Sequence, residues 1–277
     1  MTEVRARNGR VDGVSVPDEL LALAVDLASD AGQLQRQRLW QARHVETKSS
    51  SSDLVSDVDR ECERLIVDRL AESRPNDSIL AEEGTLREAK SGVRWVIDPL
   101  DGTTNYVYGY PAFAVSIAVE VDGRPLIGVV YDSYSTSCYK ALSGSGAFCD
   151  DRPIHARQLE DLPHALLGTG FSYDSRQREQ QGRVLALMLG AVSDIRRSGS
   201  ASLDLCHVAA GHLDGFWELD LAPWDYAAGA VIVREAGAEV VFPEPAHGLG
   251  PAVVAANSAL LSPFLRQLEQ AGALAQR

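Results

Sequence analysis

Several things are scarce in this 277-residue chain. It has four cysteines, Cys62, Cys138, Cys149 and Cys206, far apart and without a CxxC pair. That spacing excludes a disulfide scaffold and reads as reduced, mostly buried thiols in a cytoplasmic protein. The six histidines are equally scattered, so no zinc cluster is expected. Positive charge is also short: 26 Lys and Arg face 39 Asp and Glu, a net charge of −13. Such a surface repels phosphate backbones, which argues against nucleic acid as a partner. Long apolar runs are missing. The first apolar stretch, residues 20–28, is broken by Asp26, and the leading MTEVRARNGRVDG is polar. Neither a signal peptide nor a membrane span is expected. There is no GxxxxGK[ST] phosphate loop and no GxSxG elbow. Gly168-Thr169-Gly170 begins like a dinucleotide fingerprint, but Tyr173 stands where the third glycine is needed.

What remains is ordinary globular composition, 45% hydrophobic and 23% charged, in a chain long enough for a sizeable core. Residues 1–16 are expected to form a flexible extension, and residues 17–277 a single domain. Leu20, Leu23, Ala24, Leu27 and Ala31 predict a helix running to about residue 41. Val58, Cys62, Leu65, Ile66 and Leu70 predict a second, ending before Pro75. The polar stretch between them, residues 46–57, reads as a loop. From residue 78 the period changes to two. Strands are predicted over residues 78–81 and 93–97, then a hairpin over 113–121 and 125–131 turning at Asp122-Gly123, then 136–142 and 147–149. The second half predicts strands near 165–168, 194–196, 215–218, 239–242 and 253–255. Helices are predicted near 176–190, 202–213, 226–236 and 260–274. The fold class is a layered α+β protein with mostly antiparallel sheets.

The informative residues are acidic. An apolar strand runs into Asp98-Pro99-Leu100-Asp101-Gly102. Pro99 and Gly102 enforce a turn on which Asp98, Asp101 and the Leu100 carbonyl can converge, three oxygens suited to a hard divalent cation. Alone, the same motif reads as an Asx-type turn with solvated carboxylates. Glu82 and Glu83 are adjacent carboxylates after a short strand, costly unless a cation or water neutralises them. Asp225 follows Trp224 at a helix start, where an N-cap is the simple reading. Asp53, Asp57 and Asp59 cluster at another helix start and would favour its dipole. The EF-hand is excluded, because its glycine and distal glutamate are absent.

Taken in order, Lys48, Asp53-Leu-Val-Ser-Asp-Val-Asp59, Glu82-Glu83, Asp98-Pro-Leu-Asp101-Gly-Thr-Thr-Asn105 and Trp224-Asp225 resemble the inositol monophosphatase family. The resemblance spans roughly residues 20–255. It implies an αβαβα sandwich of the inositol monophosphatase and fructose-1,6-bisphosphatase type, and a magnesium-dependent, lithium-sensitive phosphatase acting as a cytoplasmic homodimer. By the same resemblance, Glu82, Asp98, the Leu100 carbonyl, Asp101 and Asp225 would hold two or three Mg2+ ions. Thr103 and Asp59 would position and activate the attacking water, with Glu82 completing the catalytic set. Asp101, Gly102, Thr103, Thr104, Gly199, Ser200, Ala201, Glu218 and Asp225 would contact the substrate, a small phosphorylated polyol. Ser200 stands where threonine is common in the family, which leaves a backbone contact intact. Lys48 matches a family lysine whose role the resemblance does not specify.

The chemistry suits these groups. Two cations about 3.5–4 Å apart can stabilise both the attacking and the leaving oxygen of a phosphate ester, and they let an acidic protein attract an anion. Histidinol phosphate, 3′-phosphoadenosine nucleotides and fructose 1,6-bisphosphate are alternative substrates within related enzymes. Thr104, where phosphatases of the first two commonly carry Lys, favours an inositol or similar polyol phosphate. A regulatory protein that binds without catalysis is the non-enzyme alternative; no ligand position is lost here.

Overall fold

The computed structural model describes residues 10–11, 14–41, 45–48 and 54–276. Asp53 and most of the expected N-terminal extension lie outside the described residues. The strands β1 (Arg10–Val11) and β2 (Val14–Ser15) pair just before helix α1 (Val16–Arg38). Part of the stretch read as loop is instead a small antiparallel hairpin, β3 (Val45–Thr47) and β4 (Leu54–Ser56). It leads straight into α2 (Asp57–Ser73). A pairing between two three-residue strands is too short to leave a period in the sequence.

Next come β5 (Ser78–Ala81), β6 (Leu86–Arg87), β7 (Val93–Asp101), the short helix α3 (Thr103–Tyr108), β8 (Ala114–Val121) and β9 (Arg124–Asp132). Then β10 (Ser137–Leu142), β11 (Ala147–Cys149) and β12 (Arg152–Ile154) complete an eight-stranded sheet in the order β12-β11-β10-β9-β8-β7-β5-β6. Asp122 and Gly123 both take positive φ, 50° and 74°, which matches the twist of the β8–β9 hairpin.

The second sheet is built from β13 (Leu166–Thr169), β14 (Asp194–Arg196), β15 (Gly215–Leu219), β16 (Glu239–Val241) and β17 (Ala252–Ala256), in the order β14-β13-β15-β17-β16. Between them run α4 (Ser175–Leu189), α5 (Ala201–Ala209) and α6 (Pro223–Glu235), and α7 (Ser258–Gln270) closes the chain. The expectation of mostly antiparallel pairing holds for the first sheet apart from β5 with β7. In the second sheet β13 pairs in parallel with both β14 and β15, because α4 and α5 serve as crossover helices.

The period-two strands explain the layering. On β7, Trp95 and Ile97 are buried toward α1 and α2, while Val96 between them is buried toward α5 and α6. A sheet buried on both faces needs a helical layer on each. Phe216 of β15 joins the α5–α6 core, whereas Trp217 and Leu219 join a third core with α4 and α7. The layers are therefore α1/α2, the large sheet, α5/α6, the small sheet and α4/α7: an αβαβα sandwich. The C-terminal end of β7 points at the N-terminus of α5, and the site forms at that junction.

Candidate active site

A cleft of about 390 Å³ lies at this junction, lined on one side by Lys48, Glu82, Asp101, Gly102 and Asp225, and on the other by Arg197, Phe171, Tyr173, Glu218 and Asp220. Of the expected site residues, Glu82, Asp101, Gly102, Gly199, Ala201, Glu218 and Asp225 line this cleft.

β7 delivers Asp98 and Asp101 with an irregularity in its pairing to β8 between them. Leu100 N–H donates to Asp98 Oδ1 at 2.9 Å, so the Asx turn forms, and Asp101 is near enough for its charge to raise Asp98. Gly102 ends the turn at φ 88°, and a Cβ there would lie 2.8 Å from the Ala112 carbonyl oxygen. A side chain would therefore suffer both backbone strain and a collision. α3 starts directly after it.

Thr103 is buried, and its hydroxyl donates to Asp59 Oδ1 at 2.7 Å, with the Leu100 carbonyl oxygen 3.1 Å away. Asp59 is the third residue of α2. Its Oδ2 accepts from the backbone N–H of Ser56 at 2.9 Å and the Ser56 hydroxyl at 2.6 Å. Burial raises the Asp59 carboxyl above its ordinary value, and the bonds from Ser56 and Thr103 partly offset this. Thr104 Oγ1 is buried and has no hydrogen-bond partner among the described residues.

Glu82 follows β5, and its backbone N–H donates to the Ile97 carbonyl at 3.1 Å. The cost of adjacent Glu82 and Glu83 is met by Lys48, whose Nζ lies 2.9 Å from Glu82 Oε1 and 2.5 Å from Glu83 Oε1. Burial opposes the charge on Lys48, but the two glutamates outweigh it and hold the ammonium above its usual range. Burial raises Glu82 despite Lys48. Asp98 is pushed well above its ordinary value by burial, then by the charges of Glu82, Asp101 and Asp225.

Asp101 crosses to the other half of the fold. Its Oδ2 accepts from Ser200 Oγ at 2.6 Å, Ser202 N–H at 2.8 Å and Ser202 Oγ at 2.5 Å. Burial still leaves it raised. Gly199 lies against Asn105, whose amide donates to the Ala112 and Ser198 carbonyls at 2.7 and 2.9 Å. Asp225 is the third residue of α6 rather than its N-cap, which is Ala222. Its Oδ2 takes the Ala222 N–H at 2.7 Å, and burial with Asp101 and Glu82 pushes it well up. Glu218, on β15, packs its carboxylate where a Cβ on Gly170 would sit. Burial, Asp204 and Asp225 push it well up, against Arg197.

Among the described residues no three His, Cys, Asp or Glu side chains are gathered into a ready-made metal cage. The donors nevertheless fit a hard cation chemically. They are all oxygens, and Asp98, Asp101, Glu82 and Asp225 are all held above their usual carboxylate range by burial, Asp98 and Asp225 also by the charges of the others, so the cluster is short of positive charge.

Four participants were missed in the sequence. Ser202 holds Asp101, and Glu63 holds the turn after Glu82. Arg197 lies over the Phe171 ring at 6.0 Å from its centroid. Asp204 is buried in α5, has one unpartnered oxygen, and is raised to about 7 by burial and Asp101 against Ser198 and Arg197. Only Asp204 left a signal, as the one charge within the apolar run ASLDLCHVA.

The sequence pattern of the Inositol monophosphatase family matches residues 16–276. Inositol-1-monophosphatase SuhB of Mycobacterium tuberculosis is 43% identical over 274 residues, covering 92% of this chain and 94% of that protein. A Vibrio cholerae protein named Nus factor SuhB is 43% identical over 224 residues, 80% of this chain and 84% of that one. The crystal structure of extragenic suppressor protein suhB from Bartonella henselae superposes with a TM-score of 0.84 at 35% identity, covering 91% of this chain and 99% of that one.

Proposed function

This chain belongs to the inositol monophosphatase family of phosphatases, and on that premise we propose that it is a magnesium-dependent phosphomonoesterase acting on inositol 1-phosphate or a similar sugar or polyol monophosphate. The observation that carries this reading is the 2.7 Å bond from Thr103 to Asp59, next to Gly102 in a cleft lined by Glu82, Asp101 and Asp225 among other carboxylates. Because the Thr103 hydroxyl gives its proton to Asp59, its lone pairs remain to accept a hydrogen from water. That water is then aimed into the cleft, and Asp59, already raised by burial, can take up the proton as the P–O bond forms.

Glu82, Asp98, the Leu100 carbonyl, Asp101 and Asp225 would hold the magnesium. When bound, the metal supplies Lewis-acid stabilisation of the phosphate and leaving oxygen. The residues at the start of α3, Gly102, Thr103 and Thr104, offer donors, since the leading N–H groups of a helix lack intrahelical partners. Gly199, Ser200 and Ala201 border the ring of the substrate, and Glu218 accepts from its hydroxyls. The test is phosphate release by the purified protein from a panel of sugar, histidinol and nucleotide phosphates, with magnesium and with chelator. Magnesium-dependent turnover, fastest on inositol 1-phosphate and inhibited by lithium uncompetitively with substrate, is the expected result. No turnover on any ester would overturn the proposal.

The same proposal places the protein in the cytoplasm as a homodimer, in keeping with its free thiols and with the finding that no helix among the described residues is long and apolar enough to cross a membrane. Sedimentation of the purified protein checks the dimer. A second reading, a binding role on the same fold, draws on relatives such as the Escherichia coli protein named Nus factor SuhB, 41% identical over 221 residues. Inertness toward every ester would favour it.

A further inference from the structure

Helix α2 holds two arms of the site at once. Asp59, in its first turn, takes the Thr103 hydroxyl. Glu63 stands four residues later, so it projects from the same face one turn along. It is 6% exposed, and among the described residues none of its hydrogen bonds goes to another charged side chain. Its Oε2 accepts the Glu83 N–H at 2.8 Å, and its Oε1 accepts the Thr85 N–H at 3.2 Å and the Thr85 hydroxyl at 2.6 Å. The turn it grips is closed by Ala81 N–H to the Thr85 carbonyl at 2.9 Å. Glu82 sits inside that turn, pinned on its other side to Ile97, one residue before Asp98.

We propose that Glu63 is a positioning residue that sets where Glu82 stands relative to Thr103, so that α2 spaces the metal-holding arm and the water-holding arm of one site. The inference rests on the reading of Glu82 as a metal ligand. Its physical content is a division of labour: Lys48 holds the Glu82 carboxylate and the Ile97 carbonyl holds its N–H, while Glu63 holds the turn that carries both. The backbone of residues 82–85 sets where the Glu82 side chain starts, and in that turn Glu63 fixes two N–H groups through charge-assisted bonds, which are about twice as strong as neutral ones. A glutamine at position 63 keeps the shape but turns an NH2 group toward an N–H donor, so the turn loses a partner and gains a repulsion.

The test compares Glu63→Gln and Thr85→Val with the wild type. Magnesium binding to the substrate-free protein is measured by calorimetry, and amide hydrogen exchange is followed in the metal-free protein. Glu63→Gln should weaken magnesium binding on the order of 10–100-fold, with kcat returning toward wild type at saturating magnesium. Thr85→Val, which loses only the hydroxyl bond, should shift the same constant by a smaller factor. The Glu83 and Thr85 amides should exchange faster in Glu63→Gln while those of the β8–β9 hairpin do not. A lowered melting temperature with unchanged magnesium affinity would overturn the proposal and leave Glu63 a stabiliser of the turn. A wild type that binds no magnesium would defeat the reading of the site itself, and this inference with it. A wild type that binds magnesium beside a Glu63→Gln protein that binds it equally well would defeat this inference alone.

Discussion

Asp101 Oδ2 and Ser200 Oγ, 99 positions apart in sequence, are 2.6 Å from each other. The bond joins the end of the large sheet to the N-cap of α5, the helix layer beneath the small sheet. Three donors on one carboxylate oxygen make this contact a hinge pin between the two halves of the cleft. Hydrogen bonds to a charged group contribute about 1.5–3 kcal/mol each. Ser202→Ala removes one donor and should lower the unfolding free energy of the metal-free protein by about that amount in a urea titration. A loss indistinguishable from zero would mean that the Ser200 hydroxyl and the Ser202 N–H satisfy Asp101 by themselves.

Asp98→Asn separates function from stability. The buried Asp98 carboxyl is raised by its surroundings, so its ionised form opposes folding at neutral pH. The variant should lose phosphatase activity yet unfold at an equal or higher temperature than the wild type when both are metal-free. Near-normal turnover at ordinary magnesium concentration would remove Asp98 from the ligand set.

Thr103→Ala should behave differently from Asp98→Asn. It removes the group that orients water without removing a metal donor, so kcat should fall by on the order of 100-fold or more while magnesium affinity stays close to wild type. Asp59→Asn should resemble it, because the amide cannot take up the proton. Calorimetric magnesium binding alongside initial rates distinguishes the roles. Weakened metal binding as the main effect of Thr103→Ala would reassign that residue.

Asp204 predicts a pH dependence with a definite sign. Its folded value is about 7 against an ordinary 3.8, so the folded state holds a proton that the unfolded chain gives up. The stabilisation is complete below about pH 4 and is lost as pH rises through about 7. Being buried with one oxygen unpartnered, the group can account for about 4 kcal/mol at most. In the metal-free protein, Asp204→Asn should flatten the fall in stability between pH 4 and 7. Parallel wild-type and variant stability curves over that range would show that Asp204 does not titrate there.

Glu218→Gln tests substrate choice. A site that hydrogen-bonds ring hydroxyls penalises esters lacking them, because its own polar groups are left unpaired. The variant should lose more kcat/KM on inositol 1-phosphate than on a small generic phosphate ester. Equal losses on both would make Glu218 a general electrostatic contributor.

The sequence alone carried what is local. Helices α1 and α2 show in the spacing of Leu20, Ala24 and Leu27 and of Val58, Cys62 and Ile66, because a buried face imposes its own period. The β8–β9 turn shows in Asp122-Gly123, because few other pairs accept two positive φ angles. Asp98, Asp101 and Gly102 are legible as a group for the same reason: one strand end and one turn bring them together. Tertiary structure alone decided the rest. The parallel pairing of β13 depends on where two crossover helices land, which no window of sequence contains. Lys48 between Glu82 and Glu83, Ser202 on Asp101 and Glu63 on the Glu83 N–H are contacts across 34, 101 and 20 residues. Serine and glutamate are ordinary surface residues in composition. They acquire these roles only because folding removes water from around a carboxylate or an N–H group, and a buried polar group must then find its partner within the protein.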